Sequence, residues 1–188
     1  MSHKSKLEKH LGFLTDLGEF RFKRWLDANA YKFLMDVGVG VGQKVLDVGC
    51  GSGTYTIPAA KIVGESGIVY ALDTSRQVLD RMEERAAREE LRNVVRVDGG
   101  EIDDRFEGSS IDHVLLIDVL QEIRDRGAMF DGIYRVLKPG GSVIVYPMHM
   151  AAEDVIEIAL KKPFSRVEKK FGGRILVFRK TRVDEPDT

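Results

Sequence analysis

Apolar positions along the 188-residue chain follow two alternating rhythms. Runs that are apolar at consecutive positions, Lys44–Val48, Ile68–Leu72, Val94–Val97, Ile111–Ile117 and Ser142–Tyr146, read as strands covered on both faces. Between them, apolar residues recur at helical spacing. In SRQVLDRMEERAAREEL, Val78, Leu79, Met82 and Ala86 share a face, and Thr74 and Gln77 are spaced as a capping box at its start. From Ala128 to Leu137 the apolar face is Met129, Phe130, Ile133, Tyr134 and Leu137. Lys138-Pro139-Gly140-Gly141 then ends that helix and turns the chain into the next strand. Strands alternating with helices imply a parallel sheet joined by crossover helices.

The rhythm changes at both ends. Leu7 to Val37 reads as one or two helices with Phe20, Phe22, Trp25, Leu26, Phe33 and Leu34 as packing residues. Because it precedes the first strand, this segment is expected over the ligand side of the sheet. After a helix near Ala151–Leu160, FSRVEKKF and RILVFRKT are strand-like runs joined across Gly172-Gly173, a dipeptide suited to a tight antiparallel hairpin. Ile175–Phe178 is apolar throughout and belongs inside the sheet, whereas FSRVEKKF carries charge on both faces, as an edge strand does. The expected topology is five parallel strands followed by a hairpin whose last strand lies beside the fifth.

Composition narrows the class. With 43% apolar and 31% charged residues the chain suits one folded domain and excludes extended disorder. The single cysteine, Cys50, excludes an internal disulfide and thiolate metal clusters, the four histidines are scattered, and no metal site is expected. A reducing cytoplasm is the expected compartment. The opening MSHKSKLEKH lacks the apolar stretch of a signal peptide, and no run approaches the roughly 18 apolar residues of a membrane span; no membrane contact is expected. Net charge of −1 decides nothing about nucleic acid. Its distribution is uneven, since Lys161 to Arg182 holds nine basic residues against the one acid Glu168.

The chemistry starts at Val45–Thr56, VLDVGCGSGTYT. A glycine-rich turn between strand and helix exposes backbone N–H groups and admits a ligand close to the main chain. The glycines are Gly49, Gly51 and Gly53, with Thr54 where the dinucleotide fingerprint needs its third glycine, and the Gly-Lys-Ser/Thr of a phosphate loop is missing. Asp47, two residues before the turn, sits badly beside a pyrophosphate and well beside a cationic ligand. Asp73, ending VYALD, stands where α/β nucleotide folds accept hydrogen bonds from ribose hydroxyls, and Glu101 in RVDGGEI can accept from an exocyclic amine such as adenine's. The bland alternatives are a packing turn, a helix cap and a solvated loop acid.

Taken in order, VLDVGCGSG, YALD, GGEI and YRVLKPGGSVIV resemble the successive motifs of class I S-adenosylmethionine-dependent methyltransferases, over roughly Val37 to Tyr146. The resemblance implies an α/β, Rossmann-like seven-stranded sheet, mostly parallel, with the last strand antiparallel between strands five and six and helices on both faces. It implies a helical segment at 1–36 before a cofactor-binding domain at 37–182. It assigns Asp47, Gly49, Cys50, Gly51, Asp73, Thr74, Glu101 and Ile102 to S-adenosyl-L-methionine, with Glu101 standing where an aspartate is more usual.

The acceptor is less legible. Methyl transfer from a sulfonium needs alignment more than a fixed catalytic residue. After the fourth strand, Ile117-Asp118-Val119-Leu120 lacks the Asp/Asn-Pro-Pro-Tyr-like tetrapeptide of amine-directed nucleic-acid relatives, and Gln121-Glu122 replaces the histidine pair of many small-molecule members. Asp118 and Glu122, read as one helical turn apart, and His149 after the fifth strand are the catalytic candidates. A small-molecule acceptor is expected. An RNA- or protein-directed enzyme, gripping phosphates through Lys169, Lys170 and Arg174, and a non-catalytic cofactor-binding subunit are the alternatives.

Overall fold

The alternation of apolar runs and amphipathic segments becomes, in the computed structural model, a seven-stranded sheet in the order β3-β2-β1-β4-β5-β7-β6. The structure describes residues 6–102 and 104–181. Its elements are α1 (Lys6–Ala28), α2 (Ala30–Asp36), β1 (Lys44–Val48), α3 (Thr56–Val63), β2 (Ile68–Asp73), α4 (Arg76–Arg88), β3 (Val94–Asp98), β4 (Ile111–Ile117), α5 (Arg126–Val136), β5 (Leu137–Tyr146), α6 (Ala152–Ala159), β6 (Phe164–Lys170) and β7 (Ile175–Lys180). β1 to β5 pair in parallel, while β7 runs antiparallel to both β5 and β6. The buried Ile175–Phe178 run is therefore an inner strand and the charged β6 is the edge.

Side chains alternate across a strand, so each strand feeds two cores. On one face Leu46 and Val48 of β1 join Phe130 and Ile133 of α5 and Val155 of α6. On the other, Val45 meets Leu26 of α1, Phe33 and Leu34 of α2 and Ala59 and Val63 of α3. Helices thus cover both faces. Leu79, Met82 and Ala86 are the buried residues of α4, as their spacing predicts.

Several local expectations are corrected. Thr74 and Gln77 form no capping box: Ser75 is the N-cap of α4 without a side-chain cap bond, and Thr74 is exposed. The Lys138–Gly141 stretch is no separate turn. β5 already starts at Leu137, which pairs with Ile111, and the register slips before Ser142 pairs with His113, so the proline and glycines form an irregular bulge within the strand. The hairpin turn is longer than the Gly-Gly dipeptide, because Lys170 pairs with Ile175 and four residues lie between. Phe20 and Trp25 are not buried; they are 53% and 42% exposed on the outer side of α1, with Trp25 stacked on Phe22 along one flank. Phe33, Leu34 and Leu26 are buried as expected.

The basic hairpin is bound to its own protein. Lys169 pairs with Glu153, Lys170 donates to the Asp36 carbonyl, and Arg174 pairs with Glu19 and lies over the Phe22 ring. Phe171, at the tip, packs against Phe22, Trp25 and Phe33. The hairpin therefore clasps the N-terminal helices.

Candidate functional site

Parallel strands deliver their C-terminal ends to one rim, and the chain reverses between β1 and β4, the place where doubly wound sheets open a crevice. A cavity of about 840 Å³ lies there. Its walls include Val48 and Gly49 after β1, Leu72, Asp73 and Thr74 after β2, Gly99 to Ile102 after β3, and Val119, Glu122 and Ile123 after β4. Ala128 and Met129 of α5 close one side.

The glycine turn is tied to β2 by the N–H groups of Gly49 and Cys50, which both donate to the Leu72 carbonyl at 2.8 and 3.1 Å. Gly49 has φ +68°, and a Cβ there would stand 2.3 Å from Val119 Cγ2. Its missing side chain lets the β4 loop close down on the turn. Gly51 differs. It has φ +53° and nothing within 4 Å of an added Cβ, and it is half-buried beside the cavity without lining it.

Asp73 joins the two loops. Its Oδ2 accepts from Gly51 N at 3.0 Å and its Oδ1 from Ser75 N at 2.9 Å. A carboxylate oxygen has a second lone pair, so both oxygens keep acceptor capacity toward the cavity. Glu101 is exposed on the opposite lip, and Ile102 packs against Gly132 of α5, where a Cβ would come within 3.0 Å.

Not every carboxylate of the motif reaches the cavity. β1 alternates, so Asp47 shares the side of Val45 and faces α3, where its Oδ2 accepts from Thr56 Oγ1 at 2.6 Å. It is 2% exposed and does not line the cavity; it supports the turn from behind. Burial pushes its carboxyl up from 3.8 to about 6. Cys50 is also buried, against Ala71, Leu79 and Met82, and burial together with Asp47 and Asp73 keeps it a thiol.

A second buried titratable group opposes Asp47. His113 of β4 lies between Ser142 Oγ at 2.8 Å and the Gly38 carbonyl at 3.1 Å, and burial lowers it from 6.5 to about 4. Between about pH 4 and 6 the folded state holds a proton on Asp47 that the unfolded chain has released, so stability falls as pH rises. Over about pH 4 to 6.5 the unfolded chain protonates His113 while the folded state does not, so stability falls as pH drops. The slopes oppose one another. His113→Asn is expected to unmask the Asp47 slope, losing up to about 3 kcal/mol relative to wild type between pH 4 and 6. Asp47→Asn is expected to show the opposite trend in urea unfolding over the same range.

The catalytic candidates separate. Residues 118–125 are turns and not a helix, with Asp118 at φ +58°. Asp118 accepts from Gln121 Nε2 at 3.1 Å and approaches Lys23 of α1 at 3.9 Å, outside the cavity lining. Glu122 lines the cavity. His149 is exposed beyond β5 and does not. The expectation that Asp118 and Glu122 share a helical face is thus overturned by the left-handed backbone at Asp118.

Sequence reasoning missed the α1 side of this rim. Lys23 Nζ is 2.8 Å from Asp27 Oδ1 and 5.8 Å from the Tyr55 ring centroid, and Tyr55 Oη donates to Asp27 at 2.7 Å. Tyr146 Oη donates to Glu19 at 2.8 Å. These bonds lay α1 across the ends of β1, β4 and β5, as the order of elements suggested. Gln121 Oε1 is buried nearby with no hydrogen-bond partner among the described residues, an acceptor left uncommitted. Only Tyr55, inside the glycine stretch, offered a signal in the sequence.

A doubly wound sheet with a crevice at its switch point, one wall carrying acceptors for hydroxyls and the other apolar, defines an α/β nucleoside-binding enzyme. Residues 40–175 match the family described as a methyltransferase domain, and the chain belongs to it, among the class I S-adenosylmethionine-dependent methyltransferases. A demethylmenaquinone methyltransferase of Geobacillus sp. is 32% identical over 140 residues, 74% of this chain and 58% of that protein. The chain spans about half the length of the curated relatives it matches. A methyltransferase of Aquifex aeolicus shares the fold with a TM-score of 0.70 at 23% identity, over 82% of this chain and 90% of that one. Phosphoethanolamine N-methyltransferase 2 of Haemonchus contortus, solved in complex with S-adenosyl-L-methionine, gives 0.66 at 26% identity, over 81% and 42%.

The residues present fit that cofactor. Asp73 presents carboxylate acceptors of the kind ribose hydroxyls need, the apolar Leu72, Ile102 and Met129 suit a purine face, and the volume falls in the usual range for such a ligand, about 300 to 1,000 Å³.

Proposed function

We infer that the chain transfers a methyl group from S-adenosyl-L-methionine to a small organic acceptor. The observation that carries this is the cavity itself, which brings Gly49, Asp73, Thr74, Glu101 and Ile102 from three separate loops onto one surface. Asp73 holds the ribose, Glu101 the adenine amine, and Gly49 presents the turn to the ligand. Cys50 and Asp47 support the turn without touching the ligand. The cofactor supplies a methyl group already activated on a sulfonium.

The acceptor side is the outer part of the same cavity. Of the three catalytic candidates Glu122 alone lines it, so Glu122 is assigned to orient the acceptor or take its proton. The names of the curated relatives favour a demethylmenaquinone-like quinone ring as the acceptor. Support for a small acceptor also comes from the hairpin, whose cations Lys169, Lys170 and Arg174 are engaged with the protein's own groups.

The test is incubation of the purified chain with methyl-labelled cofactor and demethylmenaquinone held as its electron-rich hydroquinone by added dithionite, beside a thermal-shift titration with S-adenosylhomocysteine. Transfer of label to the quinone, reduced about a hundredfold in Glu122→Gln with the thermal shift retained, is the expected result. A thermal shift without transfer refutes the quinone. Absence of both refutes the methyltransferase reading and favours a binding-only subunit whose ligand is another.

A further inference from the structure

Among the described residues eight large apolar side chains are exposed, and five of them, Leu17, Phe20, Trp25, Tyr31 and Met35, sit on α1 and α2. On α1 the step of about 100° per residue separates them from the buried side. Leu17, Phe20, Arg21 and Arg24 occupy the outward flank, while Phe22 and Leu26 face the core. The charges are sorted in the same way. Arg21, Arg24 and Lys32 are exposed, and none of them is in an ion pair among the described residues. Glu19 is drawn inward by Tyr146 and Arg174, and Asp27 by Lys23 and Tyr55. From residue 17 to 36 the one exposed acid is Asp36. A shallow groove of about 320 Å³ lies between Arg21, Arg24 and Trp25.

We propose that this outer face of α1 and α2 is a docking surface for an anionic lipid bilayer. Aromatic and aliphatic side chains interleaved with cations fit the boundary between headgroups and acyl chains, where rings insert and guanidinium groups meet phosphates. A nucleic acid would use the cations but leave five large apolar groups in water. A second copy meeting this face across a two-fold axis would set Arg21, Arg24 and Lys32 against themselves. Negatively charged lipid satisfies both halves of the pattern.

This surface contact differs from the expectation of no membrane contact, which rested on the lack of a spanning segment. No helix among the described residues is long and apolar enough to cross a membrane, and lying on the surface needs none. The inner side of α1 is fixed to the strand ends, through Lys23 to Asp118 after β4 and through Glu19 to Tyr146 of β5, so the outer face stays free to dock. The docking does not rest on the quinone reading.

Trp25 is the chain's single tryptophan, so its emission reports on this face alone. The test is co-sedimentation with vesicles of equimolar phosphatidylglycerol and phosphatidylcholine, against phosphatidylcholine alone, while Trp25 emission is followed. Expected are binding and a blue shift with anionic vesicles only, reversed by high salt. Arg21→Glu with Arg24→Glu, and Leu17→Ser with Phe20→Ser, are each expected to weaken binding about tenfold or more, with unchanged melting temperature and unchanged response to S-adenosylhomocysteine. If a double variant does not fold, salt reversal and the blue shift of the wild-type protein decide. The proposal is overturned by absence of binding, by equal binding to neutral vesicles, by retention in both double variants, or by a dimer that Leu17→Ser with Phe20→Ser dissolves in a protein that ignores vesicles. Methyl transfer to a water-soluble acceptor persists in either case, which keeps this failure distinct from failure of the enzymatic reading.

Discussion

Asp73→Ala is expected to weaken S-adenosylhomocysteine binding by about a hundredfold to a thousandfold, and methyl transfer with it. Two charge-assisted hydrogen bonds to ribose hydroxyls are each worth about 1.5 to 3 kcal/mol, and every 1.4 kcal/mol is a factor of ten. The loss is compounded because Asp73 also accepts from Gly51 N and Ser75 N, so its removal frees the turn as well as the ligand. Asp73→Asn gives no rescue. Its amide presents a donor to one of those N–H groups where the carboxylate presented acceptors to both. Calorimetric titration with S-adenosylhomocysteine decides the matter: a change of less than fivefold in either variant would remove Asp73 from the ribose and leave it a loop strut.

The second large effect is structural. Gly49→Ala combines a left-handed backbone, costing about 1 to 2 kcal/mol for a residue with a Cβ, with overpacking against Val119, costing about 1 to 3 kcal/mol. The sum, about 2 to 5 kcal/mol, corresponds to a fall in melting temperature of roughly 5 to 15 °C for a chain of this size. The clash is specific, with Val119 Cγ2 2.3 Å from the added atom, so Gly49→Ala with Val119→Ala should recover the overpacking part and leave the backbone part. A melting temperature within about 2 °C of wild type in the single variant would show that the turn yields freely.

These two positions show what the sequence exposes and what it hides. The strands were readable because each is covered on both faces and is therefore apolar without interruption, and the hairpin because an all-apolar run, Ile175–Phe178, needs neighbours on both edges. That Asp73 lines the cavity was readable from its place at the end of β2. Asp47 was read as facing the ligand, but the two-residue alternation of β1 that puts Val48 on the cavity side turns Asp47 toward Thr56. The bulge in β5 was hidden because proline and glycine mark a helix stop and a strand irregularity alike. The turns after β4 were hidden because nothing in the letters DVLQE announces a left-handed Asp118. Lys23 and Asp27 were beyond reach: their contacts with Asp118 and Tyr55 join segments far apart in the chain, and helix periodicity carries no information about them.

The clasp on α1 bears on the order in which the molecule is made. Glu19 is bonded to Tyr146 and Arg174, 127 and 155 positions further on. During synthesis α1 leaves the ribosome well before the groups that hold it down. Closing so long a loop is entropically slow and gives nothing back until the β5 end and the hairpin tip exist. The attachment of α1 to the strand ends is therefore completed late, after the segments it packs against early, α2 and α3, have formed.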